Sequence, residues 1–324
     1  METPAPAPPH RASPPPQPSW AHNEAEGDRL SPHRATPRLP PSWAHNEAEG
    51  PGAALCGSRW FSLSAEGGLG LAGVRHVILN NPKKRNALSL SMLKCLRDDI
   101  LHDIESQALR VIIISEGPVF SAGHDLKELS SEQDTKHHIE VFETCAEVMT
   151  LLQKLPVPVI AKVNGLATAA GCQLVASCDI AVASEKSRFA TPGVNIGLFC
   201  STPAVAVGRS LSRKVALEML FTGEPISAHD ALLHGLLSRV VPEDKLEEET
   251  MKIARKICET SRSVVALGKA TFYKQMALDL DAAYRMTSQV MVDNLTLKDG
   301  QEGIEAFIQK RKPTWSHSVN TACK

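Results

Sequence analysis

Three short runs limit what this chain can fold into: VIIIS at 111–115, PVIAKVN at 158–164 and DIAVAS at 179–184. Rich in β-branched and small apolar residues, with little polar alternation, such runs read as strands buried on both faces. A strand covered on both sides needs helices above and below it, and helical patterns fall between the runs. Leu90, Leu93, Leu96, Ile100 and Ile104 recur at helical spacing in a segment that starts at Ser89. Ile139, Phe142, Met149 and Leu152 are expected to form one face of a helix ending near Lys154. A short helix is expected between 164 and 179, and beyond about residue 200 the pattern is mostly helical. Alternation followed by a helical tail predicts an α/β fold with a helical appendage. RWFSLS and VRHVILN read as a further β-pair around the loop EGGLGLAG. Its GLGLAG (68–73) leads into a strand rather than a helix, which argues against a dinucleotide-binding turn.

The first fifty residues are a different polymer. PHRASPPPQPSWAHNEAEG at 9–27 recurs as PHRATPRLPPSWAHNEAEG at 32–50, and neither copy has apolar periodicity. Residues 1–58 therefore read as a disordered, Pro-rich leader with a 23-residue tandem duplication, ahead of an α/β core at 59–260 and a helical region at 261–324. The leader has no short apolar segment of a secretory signal, and its glutamates and prolines suit a transit peptide poorly. A net charge of −1 leaves no basic footprint for nucleic acid. No membrane span is expected, because the most apolar stretch, 155–184, is broken by Lys162, Asn164, Gln173 and Asp179. The eight cysteines lack CxxC or zinc-ligand spacing, so they read as reduced, buried thiols and no metal site is expected.

Two places carry strangely little side chain. VNGLATAAGCQLVASCD (163–179) and VIIISEGPVFSAGHDLKEL (111–129) each run from a strand into tiny residues and then toward a helix start, with Asp125 as a plausible cap in the second. Tight packing alone explains small residues. So does a ligand that must touch the main chain: unpaired N–H groups at two such junctions could hold one oxygen between them.

FSAGHDLKEL, the run from Ala161 to Ser184 and EGIEAFIQKRKPTW (302–315) resemble the crotonase family of acyl-CoA enzymes, over about 59–315. The resemblance implies a spiral of ββα turns with a C-terminal helical region that trimerises, often into a dimer of trimers. It implies an acyl-CoA substrate, with coenzyme A as part of that substrate and no separate cofactor, a place in fatty-acid metabolism and a mitochondrial address. The implied oxyanion donors are the backbone N–H groups of Ala122 and Ala170, flanked by Gly123 and Gly171. Lys83, Lys84 and Arg85 would lie along the CoA chain, Lys310 would reach its phosphates, and Asp125, Thr191 and Asn195 would border the substrate.

The chain departs from the family where hydration needs two glutamates. Gln173 and Gly193 stand at those positions, and neither side chain can carry a proton near neutral pH. The glycine-rich loop that usually follows is replaced by LFCSTPA (198–204). His124 is the candidate acid, base or orienter, and GHD with a later TPGVN resembles the methylmalonyl-CoA decarboxylase branch. Decarboxylase- or isomerase-like chemistry is expected above hydration, with a catalytically inactive acyl-CoA binder as the alternative. Cys200 and Ser201 lack a placed His–acid pair, Asp179 reads as a turn contact, and Phe199 is the residue that could block an acyl channel.

Overall fold

A computed structural model describes residues 71–116 and 119–320; the duplicated leader, the RWFSLS strand and most of the glycine loop lie outside the described residues. In chain order the elements begin with β1 (Val74–Leu79), α1 (Leu90–Leu101), β2 (Val111–Glu116), α2 (Thr135–Lys154), β3 (Val159–Val163) and β4 (Leu166–Thr168). Next come α3 (Ala170–Ser177), β5 (Ile180–Ser184), β6 (Arg188–Ala190), α4 (Ser201–Ser210), α5 (Arg213–Thr222) and β7 (Ile226–Ser227). The chain continues through α6 (Ala228–Leu233), β8 (Arg239–Val241), α7 (Leu246–Cys258), α8 (Arg262–Gln275), α9 (Leu280–Asn294) and α10 (Lys298–Ile308).

Five strands form a parallel sheet in the order β1-β2-β3-β5-β8, and β4-β6-β7 form a smaller one. The register sets Ile112 beside Val159, Ile160 beside Ile180 and Val182 beside Arg239. Side chains alternate across β2: Ile112 and Ile114 join the large core under α1, α2 and α3, while Val111 and Ile113 pack with Leu246 and Ala254 of α7. Burial on both faces is why VIIIS shows no polar alternation.

Helix α1 starts where Ser89 caps it, its side chain accepting the Met92 N–H, and it buries Met92, Leu93, Leu96 and Ile100. Each such side chain contributes roughly 1.5–3 kcal/mol when removed from water. Helix α2 corrects the expected face. Met149 and Leu152 are buried with Val141, Cys145 and Val148, but Ile139 is 51% exposed and Phe142 38%. Val141 turns inward between them, so the buried face of this half of α2 runs through Val141 and not through Ile139 and Phe142. The region beyond 200 is mostly helical as expected, although β7 and β8 interrupt it and β8 supplies the fifth strand of the main sheet.

Asp179 makes more than a turn contact. Its carboxylate accepts from the Val159 N–H at 2.7 Å, Lys269 Nζ at 2.6 Å and the Tyr273 hydroxyl at 2.8 Å, the last two from α8. Lys269 also donates to the Leu152 and Val157 carbonyls at 2.7 and 2.9 Å, so all its protons are used. Helix α8 is thereby fastened to the sheet through a buried ion pair.

Candidate functional site

The two small-residue junctions meet. Ser121 pairs with Ala167 of β4 in parallel register: the Ser121 N–H donates to the Leu166 carbonyl at 3.2 Å, and the Thr168 N–H to the Ser121 carbonyl at 2.9 Å. Glycine is needed on both sides. A Cβ on Gly171 would fall 2.5 Å from the Ser121 oxygen, and one on Gly123 would fall 2.9 Å from the Ala169 Cβ. Gly123 also has φ +84, open to glycine but strained for other residues. Ala169 itself sits at φ 48, ψ −118, a conformation that costs an L-residue of order 1–3 kcal/mol. It is held there because its N–H donates to the Ala190 carbonyl and its carbonyl accepts the Gln173 N–H, both at 2.9 Å. This turn makes Ala170 the first residue of α3, where its N–H has no intrahelical partner.

The first junction departs from expectation in which donor is free. The Ala122 N–H already donates to the Arg85 carbonyl at 3.0 Å, and the Gly123 N–H to the Ser121 hydroxyl at 3.2 Å. Arg85 and Asn86 both adopt left-handed backbone angles, φ 51 and 52, in the bend that presents that carbonyl. The first N–H along this bend without a bond is that of His124. Small residues marked the bend; they could not mark which of its amides was occupied. Nor does the bend open an α-helix. Asp125 caps a 3-10 turn, Leu126–Leu129, by accepting the Lys127 N–H at 3.2 Å, so a helix dipole acts only at Ala170.

The His124 imidazole is also fixed. Its Nδ1 lies 3.2 Å from the Leu88 carbonyl, which can only accept, so Nδ1 carries the proton and Nε2 the lone pair. The ring meets Phe142 edge-on at 5.3 Å. Burial holds its pKa below the ordinary histidine value, more than the Leu88 bond and Glu128 offset. His124 is thus neutral at pH 7, and its Nε2 is buried without a partner.

Gln173, on α3 one turn past Ala170, is 4% exposed and its Oε1 is likewise buried and unpartnered. Gly193 is more than a missing carboxylate. A Cβ there would lie 2.3 Å from the Leu198 carbonyl oxygen and 2.8 Å from Cys200 Sγ, so any side chain needs the 193–200 loop to move. Thr191, fully buried, precedes that loop with Oγ1 unpartnered. Asn195, in the same loop, is exposed, with its side-chain amide against Gly223 just past α5. Burial raises the Cys200 thiol pKa, which opposes a nucleophilic role. Phe199 is half-exposed against Phe221, ring centroids 6.2 Å apart.

Lys83, Lys84 and Arg85 are exposed on the bend that leads to Asn86. Lys84 pairs with Asp125 at 2.8 Å, which lowers the Asp125 pKa and raises that of Lys84, so one of the three charges is already matched. Lys310 follows α10, exposed, with no bond joining it to the junctions within one chain. Among the described residues no cluster of His, Cys, Asp and Glu is placed to hold a metal ion, and no helix is long and apolar enough to cross a membrane.

Main-chain amides at the meeting of two strand ends, on a spiral of parallel β-strands and helices, define a class of protein, and comparison with known chains agrees. A profile described as enoyl-CoA hydratase/isomerase matches residues 70–318. The chain belongs to that family. It is 73% identical over 246 residues to enoyl-CoA hydratase domain-containing protein 3, mitochondrial, of Rattus norvegicus, covering 76% of this chain and 82% of the relative. The Homo sapiens protein of the same name is 72% identical over 248 residues, with the same two coverages. The crystal structure of human enoyl Coenzyme A hydratase domain-containing protein 3 superposes with a TM-score of 0.76 at 69% identity, covering 79% of this chain and all (100%) of that one.

Proposed function

We propose that this chain binds an acyl-CoA thioester, with the backbone N–H groups of His124 and Ala170 holding the thioester oxygen as it takes on enolate charge. The observation that carries the reading is the hydrogen-bonded meeting of the two junctions, which leaves these two donors unpartnered on adjoining segments. Donors of this kind contribute roughly 3–4 kcal/mol of barrier lowering each in well-studied enzymes. Neutral His124 Nε2 suits proton removal beside the thioester: the proton passes to the imidazole, the C–H electron pair enters the enolate, and return of the proton at another carbon moves a double bond. Decarboxylation would use the same enolate-stabilising amides. Hydration is disfavoured, because Gln173 takes no proton and Gly193 has no room for a side chain. Lys83, Arg85 and, from a neighbouring subunit, Lys310 would meet the CoA portion.

A second reading, a catalytically silent acyl-CoA binder or regulator of lipid metabolism, is favoured by the same two positions. Calorimetry and turnover with a panel of acyl-, enoyl- and malonyl-CoA esters separate the two. Binding with turnover that His124→Ala reduces supports the first, while binding alone supports the second. If no ester binds, both fall. The relatives' names carry a mitochondrial address, and we place this chain in the matrix on that basis.

A further inference from the structure

The direction of the His124 N–H is decided on the far side of its own peptide. The Gly123–His124 unit is trans, so its carbonyl and its N–H lie in one plane and point opposite ways. The Gly123 carbonyl accepts the Leu88 N–H at 2.7 Å. Pinned there, the unit aims the His124 N–H away from Leu88, and the segment that carries Leu88 sets where the donor points. That segment is anchored at Asn86, which is 2% exposed. Asn86 Oδ1 accepts the Asn81 N–H, and Nδ2 donates to the Val119 carbonyl, both at 2.7 Å. Its main-chain carbonyl accepts the Ser121 hydroxyl at 2.8 Å, and that hydroxyl accepts the Gly123 N–H at 3.2 Å. Ser121 is fully buried. Asn86 has φ 52, a left-handed angle that Asn adopts more readily than most residues.

We infer that Asn86, acting through Ser121, is the positioning residue that aims the His124 amide at the thioester oxygen. The inference rests on the acyl-CoA reading and adds to it the part that holds the first donor. Asn86 bonds to three separate places: Asn81 at the start of its own bend, Val119 at the end of the strand segment, and Ser121 inside the small-residue knot. The two chains that enclose the Gly123–His124 peptide are therefore tied to each other on both sides of it. A donor helps an oxyanion only when it is held in place before charge develops, and a displacement of about an ångström costs tenfold or more. A side chain that merely stabilised the turn would change unfolding and leave the enolate equilibrium alone. That difference makes the two roles separable.

The test titrates acetoacetyl-CoA bound to the full chain, following the ultraviolet absorbance of its enolate against pH. Calorimetry with free coenzyme A, which offers no oxyanion, runs beside it. The wild type is expected to enolise the bound ester at lower pH than the ester in water. Asn86→Gly keeps a residue that tolerates φ 52 and removes both side-chain bonds. It should raise the enolisation pKa by about one unit, a tenfold loss of enolate, and bind free coenzyme A within about threefold of the wild type. Ser121→Ala, which removes the hydroxyl bridge, should move the pKa the same way, and it decides where Asn86→Gly does not fold by circular dichroism. A folded variant that enolises the ester as the wild type does, or that weakens free coenzyme A as much as the enolate, overturns the positioning role and leaves the acyl-CoA reading standing. A wild type that binds the ester without lowering its enolisation pKa overturns the oxyanion donors and this inference with them. Failure of the ester to bind overturns the acyl-CoA reading as well.

Discussion

At the scale of single residues, His124 has two separable parts. Its backbone N–H is the unoccupied amide of the first bend, and its ring is a buried neutral base. Because burial depresses its pKa in the folded state, the unfolded chain takes up the proton first as pH falls. The His124 contribution to stability is therefore complete above the ordinary histidine value of about 6.5 and is lost as pH drops from there through the depressed folded value. His124→Gln should remove that dependence. Unfolding free energies of the two proteins should diverge below about pH 6.5, by at most about 1.4 kcal/mol per pH unit, with the wild type losing more. A pH-independent difference between pH 5 and 8 would show that the ring does not titrate as its burial demands. In the sequence His124 is legible as a side chain only. Its amide came into view because Arg85, distant in sequence, had taken the Ala122 N–H.

At the scale of elements, the longer pieces were legible and the shorter ones were not. α1, β2, β3 and β5 follow from periodicity and β-branched runs. β4, β6, β7 and β8 are two or three residues each, too short for any period to register, yet β4 is the strand that joins the two junctions. The face of α2 was misassigned at Ile139 and Phe142, since helical spacing continues past the point where the core ends. Among the ties of helix α8 is an ion pair that sequence could not match. Lys269→Ala leaves Asp179 with an unmatched charge beside buried strand ends, and the expected cost is about 3 kcal/mol in urea unfolding. The double change Lys269→Met with Asp179→Asn should cost less than the single one, because no charge is left stranded. A loss below about 1 kcal/mol for Lys269→Ala would mean that α8 is held without the ion pair, by its apolar contacts and by the bonds of Tyr273 and Arg262.

Across the whole molecule, the C-terminal helices present large apolar side chains to solvent: Phe272, Met276, Leu280, Tyr284, Met291, Phe307 and Ile308 are all more than half exposed. Exposed apolar surface of this kind suits contact with another chain. We propose the homotrimer, or dimer of trimers, that the family resemblance implies. Sedimentation equilibrium should give three or six times the 35.0 kDa chain mass, and Leu280→Glu with Phe307→Glu should shift the protein toward the single-chain mass. A wild-type monomer would refute the assembly.

The sequence by itself determined the α/β class, the two bends built of tiny residues, the absence of carboxylates at 173 and 193, and the family. These are local properties, carried by periodicity, side-chain size and motif order. Which amide stays free, which imidazole nitrogen holds the lone pair, and why no side chain fits at 193 were decided only by the tertiary structure. Each depends on a carbonyl from a distant or looping segment, of Arg85, Leu88 or Leu198, and a backbone oxygen leaves no trace in the residue that presents it.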